Sequence, residues 1–348
     1  MSNNAKQKVI SFAVPCYNSQ AYMDKCIESL LSLGDTSRFE IIIVNDGSTD
    51  ETGKIADSYA ERYPDCIRVV HQENGGHGEG VNQGLKNATG FYYKVVDSDD
   101  WLDTESIKTI VARMEEQLNV EKPVDVFVSN YVYENVEAGT SRVMPLKNVF
   151  PDGKVIGWEE TKKFKTSQYL SMHTLYYRTE LLRKVGLKLP KHMFYVDHYV
   201  ALMPLLAVER LCYLDLPTYR YFIGRADQSV NEANLIKRID QHFAVTHAMI
   251  DAFPAEKVQG IDKKLNKYLV NYMRLLIAIC SSIAQISKNK ENYAKIKPLY
   301  SHLKEVNKAW YNKIRWRSIL FFQMLPGPIG RFLGRAGYRI TQKVFKYN

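Results

Sequence analysis

Apolar positions along the first 130 residues alternate between two periods. Residues 9–14 (VISFAV) form an almost unbroken apolar run that predicts a buried strand, and residues 20–33 carry Tyr22, Met23, Cys26, Ile27, Leu30 and Leu31 at helical spacing. The same succession recurs. Strands are predicted at 39–44 (FEIIIV), 67–71 (IRVVH), 91–96 (FYYKVV) and 124–131 (VDVFVSNY), with helices over 50–62, near 79–88 and over 104–118. Ser48 and Thr49 are suitable residues to start the helix over 50–62. Strands without a polar face, separated by helices, predict an α/β fold whose mostly parallel sheet is covered on both sides.

The regular alternation fades after residue 131. Residues 132–230 mix short strands, loops and a helix near 179–186, and 235–318 is helical and amphipathic until Pro326-Gly327-Pro328 breaks the pattern. Two regions are therefore expected, 1–230 and 231–348, with 131–230 as the later part of the first. The apolar stretch over 275–286 is about twelve residues, short for a bilayer span and suited to a buried helix, so no transmembrane segment is expected.

Composition narrows the class without naming it. The chain has 348 residues, 45% hydrophobic and 24% charged, enough to bury a core without disulfides and unlike collagen or a disordered chain. Its five cysteines include no C-x-x-C pair, as expected of reduced thiols. No secretory h-region follows the first residues. The net charge is +9, but residues 288–348 hold 14 basic and two acidic side chains, so the remainder, with 33 basic and 36 acidic, is net −3. Over 329–346, Arg331, Arg335, Arg339 and Lys343 form one helical stripe beside Ile329, Leu333, Ala336, Ile340 and Val344. That pattern suits a cytoplasmic membrane surface, with packing on the core as the competing reading. No aromatic RNP-like or zinc pattern supports nucleic-acid binding.

Ligands of open parallel sheets bind beyond the carboxyl ends of the strands, and four such ends are polar here: Pro15-Cys16-Tyr17-Asn18, Asn45 to Asp50, Glu73 to Gly78, and Asp97-Ser98-Asp99-Asp100. Asp97 and Asp99 follow a buried strand, where unpaired carboxylates are costly. An Asp-x-Asp there suits Mn²⁺ or Mg²⁺ shared with a substrate phosphate. Asp46, at the end of the second strand, can accept an imide N–H such as that of uracil. The glycines at 75, 76, 78, 80 and 84 form neither a P-loop nor a dinucleotide fingerprint, and are expected to let the backbone approach a ligand at a helix N-terminus.

Taken together, VPCYN, VNDGSTD, ENGG and VDSDDW resemble, in order and at the expected strand ends, the motifs of family 2 glycosyltransferases with the GT-A fold. The resemblance is specific over 9–130 and looser to about 230. It implies an inverting, metal-dependent, non-processive transferase moving a sugar from a nucleotide sugar, UDP-linked by expectation, to a glycan or lipid-linked acceptor. The setting it implies is polysaccharide biosynthesis for the cell envelope, in the cytoplasm and peripherally on the inner face of the membrane. Pro15, Tyr17, Asp46, Asn74 and Asn82 fall on the donor side, and Asp97 and Asp99 on metal and diphosphate. Where the family commonly has Ala-Arg-Asn, this chain has Gly80-Val81-Asn82. The family's arginine is thus missing, and a core or solvated role is expected for the nearby cations His77 and Lys94. The segment Phe194-Tyr195-Val196-Asp197-His198 looks like the family's base element, with Asp197 as the base. Its apolar neighbours are expected to desolvate it toward useful basicity. Arg225 in the later loop matches a phosphate contact, and His173 faces either an acceptor or the core. A sugar nucleotidyltransferase, or a non-catalytic membrane-bound assembly partner, are the alternatives. The first would show a basic glycine-rich loop after strand one, and the second is disfavoured by intact Asp97, Asp99 and Asp197.

Overall fold

The computed structural model describes residues 7–136, 138–165, 168–224 and 232–315. These divide into two compact units: residues 1–164 with 170–224, and residues 165–169 with 225–348.

The first unit is built in chain order from β1 (Ile10–Cys16), α1 (Met23–Leu31), β2 (Phe39–Asp46), α2 (Thr52–Arg62), β3 (Ile67–Gln72), α3 (His77–Asn87), β4 (Tyr92–Val95), β5 (Trp101–Leu102), α4 (Thr104–Glu115), β6 (Val126–Asn135), β7 (Thr140–Met144), β8 (Val155–Ile156), β9 (Leu175–Arg178), α5 (Thr179–Lys184), α6 (Asp197–Leu202) and β10 (Leu211–Ile223). The sheet runs β3-β2-β1-β4-β9-β6-β10-β5, with β7 on β6 and β8 on β10. β3, β2, β1 and β4 are mutually parallel, and β6 is parallel to β10. Every residue of β1 and β2 is buried, which is why those segments are apolar on both faces.

The arrangement departs from a simple parallel series at β5, β7 and β8, each antiparallel to its neighbour, and inside the sheet at β9. β9 is antiparallel to both β4 and β6 and lies between them. Its sequence, LYYR, is four residues long and runs directly into α5, so no alternating pattern could disclose it. β10 is a 13-residue strand whose register with β6 shifts around Pro217, and that irregularity conceals its length in the sequence.

Local chemistry explains the helix starts. Asp103 caps α4 by accepting from Ser106 N at 3.1 Å. Ser48 and Thr49 do not start α2: Asp50 Oδ1 accepts from Thr52 N at 3.0 Å. Ser48 and Thr49 instead bind the turn after β1, where Asn18 N donates to Ser48 Oγ and Thr49 N to Asn18 Oδ1. Two sheet-edge loops are thereby fastened together.

The second unit is helical: α7 (Glu232–Lys237), α8 (Ile239–Ala252), α9 (Lys263–Ile286), α10 (Lys290–Ala294), α11 (Ile296–Val306) and α12 (Lys308–Arg315). α9 begins well before the apolar stretch marked by the sequence. It is long and apolar enough to cross a membrane by length and composition, yet 61% of its most apolar window is buried within the structure. Asp262 caps it through Lys264 N and Leu265 N. All five cysteines are buried and unpaired.

Candidate active site

Asp97 is the centre of the site. It follows β4, and both its carboxylate oxygens are engaged: His77 Nε2 lies 2.8 Å from Oδ1 and His173 Nε2 lies 3.4 Å from Oδ2. Burial would push its pKa up, but the hydrogen bonds and charges of His173 and His77 hold it well below the usual carboxylate range. His77 is the first residue of α3. Burial disfavours its charge, but the hydrogen bond to Asp97 and the charges of Asp97, Asp197 and Asp99 outweigh it and raise its pKa. The charges of Asp197 and Asp99 thus act on the same imidazole as that of Asp97.

Asp100 is the buried member of the acidic run. Its side chain accepts from Tyr219 Oη at 2.7 Å and from Phe222 N at 2.8 Å. Burial, then the charges of Asp99 and Asp97, raise its pKa well above the ordinary value. Donor atoms of Asp97, Asp100 and His173 lie within 4.8 Å of one another, the group among the described residues able to hold a metal ion; Asp99 is not in it. Geometry alone admits Asp100 as a ligand. Its two bonds fasten β10 to the turn after β4.

Lys94 serves the core. It is 1% exposed, and its ammonium donates to the carbonyls of Met172, His173 and Leu175 at 3.0, 2.7 and 3.3 Å. Burial lowers its pKa to about 7, partly offset by Asp97 and Asp100. It fixes the segment carrying His173 against β4.

The donor-side residues are placed unevenly. Pro15 is buried in β1, whereas Tyr17 is 55% exposed and free to stack on a ring. Asp46 is 2% exposed and already accepts from Gln72 Nε2 and Gly75 N through Oδ1 and from Gly76 N through Oδ2. Of about four acceptor positions on a carboxylate, one is left. Asn74 is exposed and donates to the Asp46 carbonyl at 2.9 Å. Asn82 does different work from that expected: it donates to Leu189 O and accepts from Leu189 N, both at 2.9 Å. Its amide clamps two protein segments.

At Gly76, Gly78 and Gly80 it is other protein segments that approach closely. A Cβ on Gly78 would lie 2.5 Å from Pro190 O, one on Gly80 2.8 Å from Pro15 Cβ, and one on Gly76 2.9 Å from His192 N. The segment over 189–196 packs directly on this loop, and His192 N donates to Gly75 O at 2.7 Å. His192 and Tyr195 both have positive φ, 50° and 63°, so the segment turns sharply into α6. Asp197 opens α6, whose buried residues are Val200, Ala201 and Leu202. Val196 and these three residues face the core, whereas Phe194 is exposed and the Asp197 side chain is 38% exposed rather than enclosed. His198 Nδ1 lies 3.9 Å from Asp197 Oδ2, a neighbour as expected. Arg225 and the basic stretch over 329–346 lie outside the described residues.

His77, His173, Tyr219 and Asp100 surround Asp97; the sequence left His173 between an acceptor and the core, gave His77 a core or solvated role, and assigned Tyr219 and Asp100 none. The clearest available signal was Asp100, the third acid of Asp97-Ser98-Asp99-Asp100. His173 had none, because only the insertion of β9 beside β4 brings it to Asp97.

The first unit is thus a mixed α/β sheet flanked by helices, with acidic and aromatic groups at the carboxyl ends of its parallel strands. The glycosyl transferase family 2 profile matches residues 11–184, half of the chain, and the chain belongs to that family. It is similar to glycosyltransferase GlyA of Streptococcus pneumoniae serotype 4, 28% identical over 276 residues, covering 77% of this chain and 37% of that protein. It is also similar to the glycosyltransferase EpsJ of Bacillus subtilis, 41% identical over 113 residues, 32% of each chain. The chain thus spans about a third of the length of these curated relatives. The solved structure of S. aureus TarS residues 1–349 shares the fold, with a TM-score of 0.67 at 20% identity over 97% of this chain and 91% of that one. The fold is GT-A with a helical C-terminal region.

Proposed function

We propose that this protein is an inverting glycosyltransferase that moves a sugar from a UDP-sugar to a hydroxyl of a glycan or lipid-linked acceptor, with a divalent ion at Asp97. What supports this reading is the acidic group after β4, where Asp97 meets His77 and His173, with the charges of Asp197 and Asp99 acting on the same His77 imidazole. The fold neighbour TarS has been solved with UDP-GlcNAc, and a mannosyltransferase of Pyrobaculum calidifontis with GDP-Man and Mn²⁺. Both support a nucleotide-sugar donor, and the second supports the metal.

The residues present fit a hard divalent ion, since carboxylate and imidazole donors crowd within 4.8 Å. Asp97, with Asp99, would hold it, and the ion would neutralise charge on the departing diphosphate. Tyr17 offers its exposed ring to the base, and Asp46 its remaining acceptor position to an imide N–H. Asp197 takes the proton of the acceptor hydroxyl as that oxygen attacks the anomeric carbon. Its exposure and its place beside the exposed Phe194 leave room for an acceptor. Single displacement inverts the carbon. The basic, amphipathic pattern over 329–346 supports a place on an anionic membrane surface.

The test is product analysis with purified protein and candidate acceptors. UDP release from a UDP-sugar, dependent on Mn²⁺ or Mg²⁺ and abolished in Asp197→Asn, is expected. Pyrophosphate release from UTP and a sugar phosphate would instead identify a nucleotidyltransferase and overturn the reading.

A further inference from the structure

We propose that His173 is a direct ligand of the divalent ion beside Asp97, so that the site mixes nitrogen and oxygen donors. The inference rests on the reading of Asp97 as the metal carboxylate. His173 is held as a metal-binding imidazole must be held. Its Nδ1 meets Ser171 Oγ at 2.9 Å, and a hydroxyl can donate or accept there. Ser171 therefore satisfies Nδ1 whether Nε2 carries a proton or a metal. A bond from outside the coordination sphere that fixes the other ring nitrogen is the usual support for a ligating histidine.

The ring itself cannot swing. It stacks on Tyr221 at 4.6 Å and 26° and lies against Tyr219 at 4.6 Å and 38°. Its own carbonyl accepts from buried Lys94 at 2.7 Å. Nε2 is thereby aimed at Asp97 Oδ2 across 3.4 Å. That separation is long for a charge-assisted hydrogen bond, about 2.7–2.9 Å. It is close to the spacing of adjacent ligands on one ion, about 3 Å for bonds of about 2.1 Å at right angles.

The other imidazole differs. His77 approaches Asp97 Oδ1 to 2.8 Å, and its side chain is 36% exposed, a geometry of ion pairing. Asp100 is committed to Tyr219 and Phe222. A nitrogen donor favours Mn²⁺ over Mg²⁺, because imidazole suits the later metal better than an all-oxygen shell does.

The experiment is Mn²⁺ titration of the full chain by calorimetry, with pulsed EPR of the bound ion to read nitrogen coupling. Variants are His173→Gln, His77→Gln, Ser171→Ala and Asp97→Asn. Nitrogen coupling is expected in the unmodified protein, in His77→Gln and in Ser171→Ala, and is expected to vanish in His173→Gln. Mn²⁺ affinity should fall on the order of tenfold in His173→Gln, with a smaller change for Mg²⁺ and a smaller loss in Ser171→Ala. If His173→Gln does not fold, coupling retained in His77→Gln still assigns the nitrogen. Asp97-dependent Mn²⁺ binding without nitrogen coupling, or coupling that persists in His173→Gln, overturns the assignment and leaves the metal site standing. No Mn²⁺ binding at all overturns both.

Discussion

Replacing Gly76 by alanine tests whether the loop after β3 and the segment carrying Asp197 are one mechanical unit. Gly76 sits at φ 82° and ψ 168°, a region essentially reserved for glycine, where another residue is strained by about 1–3 kcal/mol. Its new Cβ would fall 2.9 Å from His192 N and 3.0 Å from His192 Cα, and a backbone cannot rotate aside. Retreat of that segment breaks the 2.7 Å bond from His192 N to Gly75 O, adding about 1 kcal/mol. The expected loss is about 2–4 kcal/mol, or about 5–15 °C in Tm for a unit of this size. Gly34→Ala is the control: it has φ 84° but nothing within 4 Å of its Cβ, so it bears only the backbone cost, about 1–2 kcal/mol. Thermal and urea unfolding of both variants give the comparison. Because Asp197 follows the displaced segment, turnover should fall further than donor affinity in Gly76→Ala. Equal destabilisation of the two variants, with turnover unchanged, would refute the argument.

Other outcomes follow from single groups. Asp197→Asn should abolish transfer while leaving UDP affinity within about twofold, measured by calorimetry beside a turnover assay. Tyr17→Ala should weaken UDP binding by about 1–2 kcal/mol through loss of an exposed stacking surface. Burial lowers the Lys94 pKa to about 7 in the folded chain, from the ordinary lysine value of 10.5. The unfolded chain therefore binds the extra proton between these values, and stability should rise with pH from about 7 to 9, at up to about 1.4 kcal/mol per pH unit. Urea titrations should show that rise and its loss in Lys94→Met; parallel pH profiles would count against a depressed lysine. Deleting 316–348 should remove binding to vesicles rich in anionic phosphatidylglycerol and spare binding to none at high salt.

The sheet was legible where its strands are apolar on both faces, as in FEIIIV over 39–44, whose one polar residue, Glu40, is buried and accepts from Ser11 Oγ and Thr89. β9 was not, because LYYR is set by its neighbours β4 and β6 and not by its own pattern. Asp97 was legible because an acid at the end of an apolar run demands compensation, and two imidazoles meet its carboxylate. The environment of Asp197 was not. Its neighbours are apolar in sequence, but where two left-handed residues, His192 and Tyr195, turn the chain, Val196, Val200 and Leu202 are buried while Phe194 and Asp197 are not. Asn82 and the glycines around it were assigned to a ligand because sequence cannot distinguish close approach of a ligand from close approach of Pro190 or His192. The paired imidazoles on Asp97 arise from positions 20 and 76 residues distant in the chain, a separation that no local pattern spans.

The most direct test of the central claim is calorimetric titration of the purified protein with UDP, with and without Mn²⁺, beside Asp97→Ala. UDP binding that requires Mn²⁺ and disappears in Asp97→Ala is the predicted result. UDP binding of equal strength without metal and in the variant, or no binding in any condition, would contradict the assignment of this rim as a metal-dependent UDP-sugar site.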